Sequence, residues 1–162
     1  MAKTYEPIQS TTLGSAAASV TLSSIPGTFT DLVLVMSGYT SINDRAIKAQ
    51  VNGDTGANYS HTNVLGYSGG AISQRNSSAT FWYIANNWVS SANCTTVAHF
   101  MSYANTNVYK TTLSAEASAA SVACRVVGLW RSTAAITSIT LFPSTGNFVA
   151  GSTFSLYGIK TA

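Results

Sequence analysis

Apolar and polar residues alternate with a period of two along most of this sequence, and no segment sustains helical spacing. Successive side chains of an extended strand point to opposite faces, so this pattern makes sheets with one buried face each. In SAAASVTLSS, Ala16, Ala18, Val20 and Leu22 alternate with Ser15, Ala17, Ser19 and Thr21. Ile47, Ala49 and Val51 alternate with Lys48 and Gln50, and Asn52-Gly53 ends that strand. In AITSITLF, Ile139 and Leu141 share a face, and in GSTFSLYGIK Phe154 and Leu156 do. DLVLVMSG (from Asp31) and CRVVGLW (124–130) are short apolar runs, as expected of strands buried in the middle of a sandwich.

TFWYIA (80–85), 95–103 and 109–114 add three strands, the last two joined by the turn Ala104-Asn105-Thr106-Asn107. The Gly-rich passage from Asn52 to Ala79 is expected to be an extended loop with room for one short helix. Ala115 to Ala120 is Ala-rich but short and broken by serines. SVTL (19–22) is echoed by SITL (138–141), each followed by a proline, as two similar strand-to-turn units. About eight or nine short strands with regular turns predict an all-β, single-domain antiparallel β-sandwich. A jelly roll is favoured and an immunoglobulin-like sandwich is its competitor. Residues 1–10 are expected to form an extended N-terminal arm and 11–162 the sandwich, a length that suffices for a real core.

Charge then narrows the function. Only 8% of residues are charged, against about 25% in ordinary globular domains. A free monomer keeps charge on its surface for solubility, so this deficit predicts a surface covered by partners. The net charge is +3, but no two of the eight basic residues adjoin, which argues against nucleic acid as a partner. No window approaches a membrane span, and MAKTYEPIQS lacks a signal-peptide core. Cys94 and Cys124 lie in or beside apolar runs and are expected to be buried free thiols.

Asp54-Thr55-Gly56-Ala57 matches the active-site signature of retroviral-type aspartic proteases, and Val126-Val127-Gly128 imitates a second motif of theirs. Those enzymes need aliphatic residues before the aspartate, whereas here Asn52-Gly53 makes a turn. Asp54 is therefore expected to cap that turn through its side chain. His99, between Ala98 and Phe100, is expected in the core or an interface. No HxxxH, CxxC, nucleophile elbow or carboxylate pair appears, so no cofactor, metal or enzymatic activity is implied. Trp82 is assigned to core ahead of binding, and Trp88, in Asn-Asn-Trp, equally to either. Exposed rings at Tyr59, Tyr67 and Trp88 would make a platform for sugars.

TYEPIQSTTLGSAAASVTLSSIPGTFTDLVLV, AQVNGDTGANYS and WRSTAAITSITLFPSTGNFVAGSTFSLYGIK together resemble small β-sandwich virion proteins of tailed bacteriophages. The likeness covers most of the chain and is weakest over 61–95. It implies a capsid cement or decoration protein, or else a tail-fibre or baseplate module that binds a host receptor or carbohydrate. The sequence shows no coiled-coil heptad or collagen-like shaft, which favours decoration. The implied partners are the phage major capsid protein and further copies of the chain in a homotrimer, on the capsid surface of a virion assembled in the host cytoplasm. Under that reading Tyr5, Pro7, Ile8, Trp82 and Trp88 are the candidate contact residues.

Overall fold

The computed structural model describes residues 4–118 and 122–160. They hold twelve strands and no helix. In chain order these are β1 (Tyr5–Thr12), β2 (Val20–Leu22), β3 (Asp31–Gly38), β4 (Arg45–Val51), β5 (Tyr59–Tyr67) and β6 (Gly70–Ala79). Then come β7 (Trp82–Trp88), β8 (Cys94–Met101), β9 (Lys110–Ser118), β10 (Val122–Trp130), β11 (Ile139–Pro143) and β12 (Thr153–Ile159). One sheet has eight strands in the order β1-β12-β3-β8-β9-β10-β5-β6, and the other has four in the order β2-β11-β4-β7. All pairings between these strands are antiparallel. The chain is thus the antiparallel sandwich that the alternation predicts, with two sheets consistent with a jelly roll.

The core lies between the sheets. Leu32, Leu34 and Met36 of β3, Phe154 and Leu156 of β12 and Phe100 of β8 face Ile47, Ala49, Val51, Ile139 and Leu141, all fully buried. Each large apolar side chain so buried contributes about 1.5–3 kcal/mol. Aromatic rings meet edge to face through this layer: Tyr59–Trp82 at 5.4 Å, Trp88–Phe148 at 5.9 Å and Phe148–Phe154 at 4.8 Å. Trp82 reaches the large sheet because Gly128 has no side chain. A Cβ there would lie 2.7 Å from the indole.

Three expectations are corrected. The arm expected over residues 1–10 is, from Tyr5 onward, an edge strand paired with β12; Met1 to Lys3 lie outside the described residues. Pro7 suits an edge, having no N–H to donate, and the register slips between Pro7 and Gln9, where Ile8 packs on the core. The loop expected from Asn52 to Ala79 is mostly the β5–β6 hairpin. Of SAAASVTLSS, only Val20–Leu22 forms a strand, while Ala17 makes an isolated bridge to Phe148. The Ala-rich stretch, as far as Ser118, ends β9; Ala119 and Ala120 lie outside the described residues. The echoed strings SVTL and SITL turn out to be partners: Val20 pairs with Leu141 and Leu22 with Ile139.

Candidate functional site

The aromatic platform expected of Tyr59, Tyr67 and Trp88 does not form. Tyr59 and Trp88 are fully buried, and only Tyr67 is exposed. Trp88 ends β7 on its core face and donates Nε1 to Thr96 Oγ1 at 2.9 Å. The Tyr59 hydroxyl donates to the Asp54 carbonyl (2.9 Å) and accepts from Val51 N (3.1 Å), and burial pushes its pKa up to about 12. Trp82, the core assignment, is also fully buried, so neither Trp82 nor Trp88 can serve as an exposed contact. Of the other candidate contacts, Tyr5 and Pro7 stand exposed on β1, while Ile8 is turned toward the core.

Asp54 shapes its turn as expected. Asn52 and Gly53 both have positive φ (53° and 68°), the backbone of an Asn-Gly turn, here leading from the small sheet into the large one. Asp54 Oδ1 accepts from Gly56 N (2.8 Å), and Oδ2 accepts from Asn58 Nδ2 (2.9 Å) and Trp130 Nε1 (2.6 Å). Burial alone would raise this carboxyl's pKa, but the donors Trp130, Asn58 and Gly56 together hold it below the ordinary value. Both oxygens are therefore occupied by the turn and by β10. Cys94 and Cys124 are free and buried, as expected.

Of the two places expected for His99, the structure excludes the core. Ala98 and Phe100 take the core face of β8, so His99 points outward, and its Nε2 lies 3.1 Å from Asp31 Oδ2. It belongs to the outer face of the large sheet, which the small sheet does not cover. Two rows cross that face. Val35, Val97, Ala115, Arg125 and Val64 are one; Val33, His99, Leu113, Val127 and Thr62 are the other. Within them Val97 (41%), Leu113 (44%), Val64 (53%) and Val127 (53%) are exposed. A third row, Thr95, Ala117, Ala123 and Gly66, has small side chains and leaves a shallow trough of about 440 Å³ beside Val64 and Val97. Arg125 sits in this apolar field and makes no ion pair among the described residues. This exposed apolar surface, with Arg125 in it, is a candidate interaction face. The buried strand expected of CRVVGLW is corrected here: β10 buries Cys124, Val126, Gly128 and Trp130 but turns Arg125 and Val127 outward.

Among the described residues no group of three His, Cys, Asp or Glu side chains could hold a metal, and no helix is long and apolar enough to cross a membrane. No family model matches the sequence, and no curated protein matches it. Among solved structures, the galectin LEC-6 of Caenorhabditis elegans is 10% identical with a TM-score of 0.36, over 94% of this chain and 96% of that one. The alginate lyase Aly36B is 7% identical with a TM-score of 0.37, over 94% and 80%. An endo-beta-1,4-glucuronan lyase from Trichoderma reesei is 9% identical with a TM-score of 0.29, over 95% and 88%. Scores this low carry no argument about function.

Proposed function

We propose that this chain is a non-enzymatic structural protein of a tailed-phage virion, a capsid cement or decoration protein. It docks on the outer surface of the shell built by the major capsid protein and stabilises it, as a homotrimer on the capsid surface after assembly in the host cytoplasm. Nucleic acid and membrane are not its partners. The observation that supports this most is the bare apolar outer face of the large sheet, in a chain with only 8% charged residues. Interface cores are depleted of charge and draw their affinity from a few apolar and Arg anchors. Val64, Leu113 and Val127 supply the apolar area, and Arg125, without an ion-pair partner among the described residues, asks for a carboxylate on the shell. Three linked copies multiply a modest contact by avidity.

Leu113→Asp with Val127→Asp tests this directly. Both side chains are exposed, so folding is retained, and thermal unfolding checks that it is. Binding to shells stripped of the protein should weaken by about tenfold or more, since each anchor contributes above ~1 kcal/mol. Unchanged binding would remove this face from the account. The runner-up is a tail-fibre or baseplate module that binds a host receptor or carbohydrate; it loses the Tyr59–Tyr67–Trp88 platform it was built on.

A further inference from the structure

The large sheet is wider than the small one, and the overhang is polar. The small sheet ends at β7, which packs over β10, β9 and β5. Beyond it β6 is uncovered, with nine of its ten residues exposed. On the core side of this overhang His61 pairs across to Asn76, Asn63 to Gln74 and Leu65 to Ile72. The first two pairs are polar where a continued small sheet would select apolar residues, and only Leu65 and Ile72 are apolar. His61 and Asn63 are 3% and 1% exposed yet polar, and they floor a cleft of about 330 Å³ with Gln74, Asn76 and Tyr83. A second cleft, of about 470 Å³, continues along the hairpin past Leu65 and Ile72 to Tyr67, against Asn86 of β7. A hydrogen bond from Asn63 Nδ2 to Asn86 Oδ1 (3.1 Å) joins the floor of the first to the wall of the second.

The lining has a definite chemistry. Gln74 and Asn76, exposed on β6, each carry a donor and an acceptor on one planar group, which suits vicinal hydroxyls, while Asn63 and Asn86 hold one another beneath them. The half-buried Tyr83 ring lies 4.3 Å from the His61 ring and 5.6 Å from Phe81, and Lys48 Nζ sits 4.0 Å above Phe81, closing the row. His61 Nδ1 is buried without a hydrogen-bond partner. Burial holds the imidazole below its ordinary pKa, against a smaller pull from a backbone bond with Phe81, so the ring is neutral at pH 7. Charge appears at the margins, at Arg75, Asp44 and Lys48. From Ile72 to Asn76 the floor runs roughly 13 Å at strand rise, long enough for more than one sugar ring.

We infer that the amide-lined cleft between β7 and the β5–β6 hairpin is a binding site for a neutral oligosaccharide. It uses none of the residues of the outer face and does not rest on the assembly reading. Polar groups set among apolar and aromatic walls are the usual make-up of a small-ligand site. An anionic glycan would need cations along the floor, where there are amides.

Saturation-transfer NMR, observed on the sugar protons, tests it with maltotriose, cellotriose and β-1,4-galactotriose as neutral probes and a tri-mannuronate as the anionic one. The expected result is transfer to at least one neutral trisaccharide, with a dissociation constant of about 1 mM or tighter. Binding should fall at least tenfold in the double variant Gln74→Ala, Asn76→Ala, whose side chains are exposed and dispensable for the fold. Leu113→Asp with Val127→Asp should bind the sugar as before, which separates this site from the docking face. Transfer to the tri-mannuronate alone, transfer that survives the double variant, or no transfer to any neutral probe would each overturn the inference. So would occupancy of the cleft only by an extended peptide pairing with the edge of β6.

Discussion

At the scale of single residues, the two histidines exchange the roles their neighbours suggest. His99 stands between Ala98 and Phe100, but in a strand those neighbours take the core and turn it outward. His61 lies in a polar passage and is buried. Glu116 is a further case. It sits on the core face of β9 and accepts from Asn86 N (2.7 Å) and Asn87 N (2.9 Å). Burial pushes its pKa up, and those two amides pull only partly back. Burial, with the Glu116 charge beside it, raises the Cys124 thiol to about 12, so that thiol stays protonated and unreactive. A carboxyl that binds its proton more tightly when folded makes stability fall as pH rises from the ordinary carboxylate range through its raised pKa. Buried His61 contributes the opposite slope, so the Glu116 effect is read by difference: over pH 4.5 to 8 the urea midpoint of the native protein should fall relative to that of Glu116→Gln. Parallel profiles would mean that Glu116 titrates alike in both states.

At the scale of elements, strands with one apolar face were legible, and those without one were not. β4, β11 and β12 show Ile47, Ala49 and Val51, then Ile139 and Leu141, then Phe154 and Leu156 in strict alternation, and each is where the pattern puts it. β6 could not be found this way, because almost all of it is exposed and a strand that buries neither face leaves no period in its sequence. β5 was hidden because His61 and Asn63 occupy its core face. The same two residues form the cleft, so the hidden element and the candidate sugar site have one cause. β1 was missed because it is an edge strand with Pro7 in it and alternates weakly. Its pairing with β12 has a consequence. Deleting residues 1–9 removes most of the ladder and the packing of Ile8, a loss on the order of 2–3 kcal/mol. The thermal midpoint should then fall by roughly 4–12 °C. An arm that merely tethers would leave the midpoint where it was.

At the scale of the whole molecule, the two sheets divide the work. The small sheet covers one side of the large sheet and completes the core. The other side stays open, apolar and nearly uncharged, with Arg125 set among Val64, Val97, Leu113 and Val127. The sandwich class was legible because it follows from period and turns. The proposed docking face was only implied, by the shortage of charge, since which apolar residues lie outside depends on which face the second sheet covers. A protein that cements a shell through this face must be present nearly as often as the shell subunit. Its copy number per purified virion, by quantitative mass spectrometry against the major capsid protein, therefore tests the assignment most directly. The expected count is on the order of hundreds, near parity with the shell subunit, as symmetric decoration requires. A few copies, or a few dozen, would contradict it and move the protein to the tail.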